Sequence, residues 1–161
     1  MEKFNFSCTF ERYNSADELS AEMQTLVQAG IDAMHLAYAP YSGFSVGAAL
    51  LLENGIIVKG NNQENAAYPS GLCAERVAFF SAGASYPNQR ILAVVITASS
   101  ALYTQGEPVS PCGSCRQSML EYELKQRAPI PLYMISPSGE IIMAPSIQSL
   151  LPLFFDSRGK L

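Results

Sequence analysis

The chain has 161 residues, 48% of them apolar and 15% charged, with a formal net charge of −4. That length can bury a core without disulfide staples, and that composition excludes intrinsic disorder. Charges of both signs are scattered with no Lys/Arg run, so no nucleic-acid partner is expected.

The opening "MEKFNFSCTFERYN" interrupts its apolar residues with polar and charged ones, where a secretion signal needs a continuous apolar stretch. No later run reaches the roughly 18 apolar residues of a bilayer span, so a cytoplasmic protein with no membrane partner is expected. In that compartment four cysteines point to metal or catalysis rather than to disulfides. Residues 1–14 form an arm, extended or at a sheet edge, that no pattern places. Ser15 and Glu18 then read as an S-x-x-E capping box. Leu19, Met23, Leu26, Val27, Ile31 and Met34 follow at helical spacing, predicting a helix over 16–38 that Pro40 closes.

"FSVGAALLLENGIIVKGNN" predicts a hairpin about Asn54-Gly55, and "ENAAYPSG" a loop. A helix over about 73–84 leads to a buried strand, "ILAVVITAS", and a long loop to Pro111. A further helix spans about 112–126. Two strands, "IPLYMIS" and "EIIMA", flank Pro137-Ser138-Gly139, and "SIQSLLPLFF" predicts a short final helix. Strands this apolar need helices on both faces, so the expected fold is a single three-layer α/β/α domain over 1–161. Its mixed sheet should hold five strands. The last two are joined too closely for a crossover and should be antiparallel.

Two segments carry charged and sulfur-bearing residues where helices begin: "SGLCAERVAFF" (70–80) and "VSPCGSCRQSM" (109–119). A helix N-terminus lowers thiol pKa and favours the thiolate that a metal needs. Cys112 and Cys115, three apart, share one face of a first turn, and Pro111 suits the start because it has no N–H to leave unpaired. Three thiolates, Cys73, Cys112 and Cys115, would leave one position of a tetrahedral zinc open, as catalysis requires. With Cys8 as a fourth ligand the same residues would close a structural site. Glu75 favours catalysis, because a carboxylate at a buried helix start is costly unless it moves protons.

C-A-E followed by P-C-x-x-C resembles the signature of the zinc nucleoside and nucleobase deaminases, a pattern already described for that class. More narrowly, "YSGFSVGAALL", "GNNQENAAYPSGLCAER", "SPCGSCRQ" and "LLPLFF" are similar, in order and over about 20–155, to the small homotetrameric cytidine deaminases. The resemblance implies one zinc per chain on Cys73, Cys112 and Cys115, and Glu75 as proton shuttle in the hydrolysis of cytidine and 2′-deoxycytidine to uridine and 2′-deoxyuridine. It implies that Arg76 drains the excess thiolate charge, that Phe44, Asn62 and Glu64 hold base and ribose, and that the Ala74 backbone meets the pyrimidine edge. It further implies a homotetramer with shared active sites, to which Tyr68 and an aromatic of the C-terminal segment contribute from a neighbouring subunit. Phe154 is the first choice for that aromatic and Phe155 the alternative. His35, the lone histidine, reads as packing or surface.

Two related deaminase classes fit less well. Polynucleotide-editing deaminases resemble one another in placing His first and in a helix before a parallel fifth strand. A deaminase of an aminoacylnucleoside antibiotic shares both metal motifs and lacks "ENAAYP".

Overall fold

The computed structural model describes residues 1–101 and 106–156. The long loop expected before Pro111 therefore lies partly outside the described residues. One mixed sheet carries the fold, formed by β1 (Glu11–Tyr13), β2 (Ser45–Leu52), β3 (Ile57–Asn61), β4 (Ile91–Ser99), β5 (Leu132–Ile135) and β6 (Ile141–Ala144) in the order β1-β6-β5-β4-β2-β3. Only β4 and β5 run parallel, joined through helix α3 (Gly113–Gln126), while β5 and β6 are antiparallel as their short connection dictates.

Helix α1 (Ala21–Met34) covers one face of the sheet, and α2 (Ala74–Ser85) with α3 covers the other. Alternation along the strands feeds both layers. Ala48, Leu50, Leu52, Val94 and Ile96 face α2 and α3, whereas Ala49, Leu51, Ala93 and Val95 face α1. Each fully buried Leu, Ile or Phe contributes about 1.5–3 kcal/mol, so this two-sided core carries most of the stability. The three layers match expectation.

Three local expectations are corrected. The sheet has six strands, not five, because Glu11–Tyr13 of the arm pairs antiparallel with β6, and Arg12 bonds Glu140 and Glu107. A three-residue edge strand has no hydrophobic alternation to read, yet it covers hydrogen-bonding groups that β6 would otherwise expose. The predicted first helix is two elements. Ser15 caps only a 3-10 turn (Ala16–Glu18), Leu19 is extended, and Ser20 caps α1 by accepting from Met23 N at 3.3 Å. Glu18 reaches back to Asn14 rather than to Ser15, so the capping box does not form. Finally, "SIQSLLPLFF" makes a single 3-10 turn, Gln148–Leu150, since Pro152 follows too soon for an α-helix.

Two glycines set the helix-to-sheet distance. A Cβ on Gly47 would stand 2.1 Å from Gly30 O of α1, and one on Gly60 would stand 2.6 Å from Ala74 O of α2. Gly60 thus seats the first turn of α2 directly on β3. Phe79 of α2, fully buried, meets Tyr122 of α3 edge-to-face at 5.2 Å and holds the two helices together.

Candidate active site and metal centre

Cys73 and Cys112 are the N-cap residues of α2 and α3, and Cys115 lies in the first turn of α3. Neither N-cap cysteine uses its side chain as a cap, which leaves both sulfurs free to point away from their own helices. The pairing of Gln63 with Leu72, through bonds of 2.9 and 3.0 Å, ends the preceding loop just where Cys73 is needed. As a result the sulfurs of Cys73, Cys112 and Cys115 all lie within 4.8 Å of one another. Thiolates at about 2.3 Å from a tetrahedral zinc stand about 3.8 Å apart, so the cluster needs little adjustment to hold the ion. Cys8 is exposed and outside this group, bonding only the carbonyl of Thr9, which removes the proposed fourth ligand.

The electrostatics suit a cation. A hydrogen bond from Cys115, followed by the Arg76 guanidinium, draws the Cys73 thiol down to about 5 against the effect of burial. Cys115 is pushed up in turn, first by that bond and then by its own burial. Arg76 Nη2 stands 4.0 Å from Cys73 Sγ, while its Nε–H is buried with no hydrogen-bond partner among the described residues. A guanidinium held there offsets the negative charge that three thiolates carry beyond a divalent ion.

Glu75 is 4% exposed and Ala74 fully buried, both in the first turn of α2. Burial foremost raises the Glu75 carboxyl above the usual carboxylate range, with the nearby Cys73 thiolate adding to it. Burial makes this carboxylate a stronger base than an exposed one, and the Cys73 and Cys115 sulfurs lie beside it.

The neighbouring wall comes from loops. After α1 the chain pairs with the segment beyond β3: Tyr38 N donates to Asn62 O, and Glu64 N to Tyr38 O. This pairing ends α1 at Met34, four residues before the predicted end. Asn62 is buried and spans β2, donating Nδ2–H to Phe44 O and accepting from Val46 N, both at 2.8 Å. Glu64 accepts from Tyr41 N at 2.9 Å and Ser42 N at 3.2 Å, and its other oxygen accepts from the Ser42 hydroxyl. The Ser42 bond foremost holds the Glu64 carboxyl below its usual range. Tyr41, Ser42, Glu64, Asn65 and Tyr68 line an open cleft of 340 Å³, where Tyr41 and Tyr68 meet edge-to-face and Tyr68 is 79% exposed. Because Gly60 seats α2 on β3, the residues that continue β3, Asn62 and Glu64, run beside the start of α2.

At the chain's far end, Phe154 is half-buried against its own core while Phe155 is 72% exposed. His35 is exposed and apart from the site, as expected. Sequence reasoning missed Ser42, which orders Glu64, and Gly60, whose position inside a strand was the available signal for close backbone approach. It also assigned nothing to Arg116 and Gln117.

Residues 20–128 match the family model described as the cytidine and deoxycytidylate deaminase zinc-binding region. A cytidine deaminase of Sporosarcina psychrophila is 41% identical over 132 residues, 81% of this chain and 89% of the relative. One of Halalkalibacterium halodurans is 43% identical over 100 residues, 62% and 71% of the two chains. Among solved structures, a cytidine deaminase of Burkholderia pseudomallei superposes with a TM-score of 0.71 at 36% identity, over 82% of this chain and 98% of that one. The chain belongs to the zinc-dependent cytidine and deoxycytidylate deaminase family, and its three-cysteine cluster, which lies within the matched zinc-binding region, is able to hold a metal ion.

Proposed function

We propose that the chain is a hydrolytic deaminase of free cytidine and 2′-deoxycytidine, releasing ammonia and the corresponding uridine. The buried Glu75 in the α2 turn that also bears Cys73, against the three sulfurs, carries this reading. Cys73, Cys112 and Cys115 would hold the zinc, and the bound ion would supply a Lewis acid able to lower the pKa of a water from about 15.7 toward about 7. Glu75 takes one proton of the attacking water and hands it to N3 of the base, then takes the second from the new C4 hydroxyl and gives it to the amino group as the C4–N bond breaks. One water adds at C4 and one ammonia leaves, so the balance closes without any further reactant. Arg76 offsets the thiolate charge. The Ala74 backbone meets the pyrimidine edge, Phe44 covers the base or ribose, and Asn62 and Glu64 bind the ribose hydroxyls. Asn62 keeps one amide hydrogen and one lone pair for this after its two bonds to β2. A carboxylate beside the sugar opposes a 5′-phosphate, favouring nucleosides over CMP or single-stranded DNA.

The cleft at Glu64 and Tyr68 is open, and cover from a neighbouring subunit of a cytoplasmic homotetramer completes it in this reading. Four free cysteines support the reducing compartment. For the neighbour's aromatic, Phe155 replaces Phe154 as first choice, because Phe154 is already committed to its own core. The test mixes unfolded Glu75→Gln and Phe155→Ala chains and refolds them together. At cytidine concentrations well below KM, hybrid assemblies with one intact composite site should regain activity that Glu75→Gln lacks and that Phe155→Ala shows only in part. Mixed assemblies with no regain would reject the shared site, and comparable kcat/KM for cytidine and CMP would reject the nucleoside assignment.

A further inference from the structure

Helix α3 does more than carry two of the sulfurs. Its side chains bond five backbone groups of the C-terminal segment. Glu123, buried, accepts from Ile147 N at 2.7 Å and Gln148 N at 3.0 Å. Arg116 Nη1 donates to Leu150 O at 2.9 Å, while its Nε donates to Pro111 O at 2.8 Å, just before Cys112. Gln117 Nε2 donates to Phe155 O at 3.0 Å, and Gln117 Oε1 accepts from Phe155 N at 3.3 Å.

The last pair is unusual in what it leaves out. The backbone of Phe155 is held on both sides by a single amide, yet its ring is 72% exposed and Leu153 is 73% exposed, with the half-buried Phe154 between them. Such a clamp does not bury the ring. It fixes the backbone from which the ring projects, lowering the entropy lost when the ring is captured elsewhere.

We propose that Gln117, supported by Arg116, is a positioning residue that pre-orients Phe155 for the neighbouring subunit's nucleoside site; this rests on the shared-site reading above. Because Gln117 stands two residues after Cys115, each subunit's zinc-bearing helix aims the aromatic that closes another subunit's pocket. Neither residue touches the reacting atoms, so the effect belongs in substrate binding and not in the chemical step.

A double-mutant cycle on the zinc-loaded enzyme tests this. Two neutral hydrogen bonds together predict that Gln117→Ala raises KM for cytidine about tenfold with kcat changed less than about twofold. Zinc content should equal that of the parent. Gln117→Glu, which keeps the acceptor for Phe155 N–H and loses the donor to Phe155 O, should fall between and serves if Gln117→Ala folds poorly. Phe155→Ala should raise KM at least as much, and adding Gln117→Ala to it should change nothing more. Multiplying effects, or a normal KM in both Gln117 variants while Phe155→Ala is impaired, would overturn the clamp and leave the shared site standing. A normal KM in Phe155→Ala would overturn both.

Discussion

The two walls of the site are built in opposite ways. The metal wall consists of two helix starts locked on a sheet, with Ala74, Glu75 and Cys115 all buried. The other wall, which the proposed function assigns to the nucleoside, consists of loops, where Tyr41 and Tyr68 are exposed around Glu64 in an open cleft. The contrast has a physical reason. Proton transfer at a metal needs a dry, preorganised setting in which charges act strongly, and one chain's core can supply that. A ligand must enter and leave, and an open loop wall permits that. The buried metal wall is complete within one chain, whereas in the function proposed above the open wall is completed by a neighbouring subunit.

Breaking the metal wall should have the largest effect. Cys115→Ser removes a ligand from the fully buried corner of the cluster. Zinc should be lost in metal analysis and deamination should fall below detection, with the helical circular dichroism retained. A variant that kept both zinc and activity would show that the two remaining sulfurs suffice.

Next comes the proton wall. Glu75→Gln keeps the shape and the zinc but removes the shuttle, so kcat should fall at least about 10²–10⁴-fold, the usual worth of general acid–base catalysis. Metal content and thermal midpoint measured together separate this from loss of the site. Near-normal turnover would refute the assignment.

The smallest effect lies on the nucleoside wall. Ser42 is the main cause of the depressed Glu64 titration. A carboxylate with a folded pKa below its unfolded value adds stability above the unfolded pKa and loses it as pH falls through the folded one. Ser42→Ala should therefore raise the Glu64 midpoint toward 4.5, followed by carboxyl-carbon NMR, and weaken the 41–44 turn only modestly. An unmoved midpoint would mean that the Tyr41 and Ser42 N–H groups suffice alone.

What could be read in advance follows the same division. The metal wall was legible because a cysteine at each of two helix starts, with Glu75 two residues on, is a local pattern whose chemistry constrains residue type and spacing together. The central strands were legible because runs such as Ile91–Ser99 are apolar on both faces. A nucleoside role for Asn62 and Phe44 is implied only by resemblance: Asn62 alone reads as a turn residue and Phe44 as core. Local signals misled where tertiary contacts competed with them. Ser15 and Glu18 form a plausible capping box, yet Asn14 takes the carboxylate and Ser20 starts the helix. Tyr38 continues the helical run, yet pairing with Asn62 and Glu64 draws it away.

By itself, then, the sequence determined the layered α/β fold, the three sulfurs and the buried carboxylate, since period, helix starts and ligand spacing are properties of short stretches of chain. Only the tertiary structure decided that Cys8 stands apart from the other three cysteines, that the arm adds a sixth strand, and that Phe154 turns inward while Phe155 faces out. Each of those outcomes depends on which distant partner satisfies an exposed edge, an orphan hydrogen bond or an apolar ring. Such competition is settled by packing across the whole molecule, and no local pattern records it.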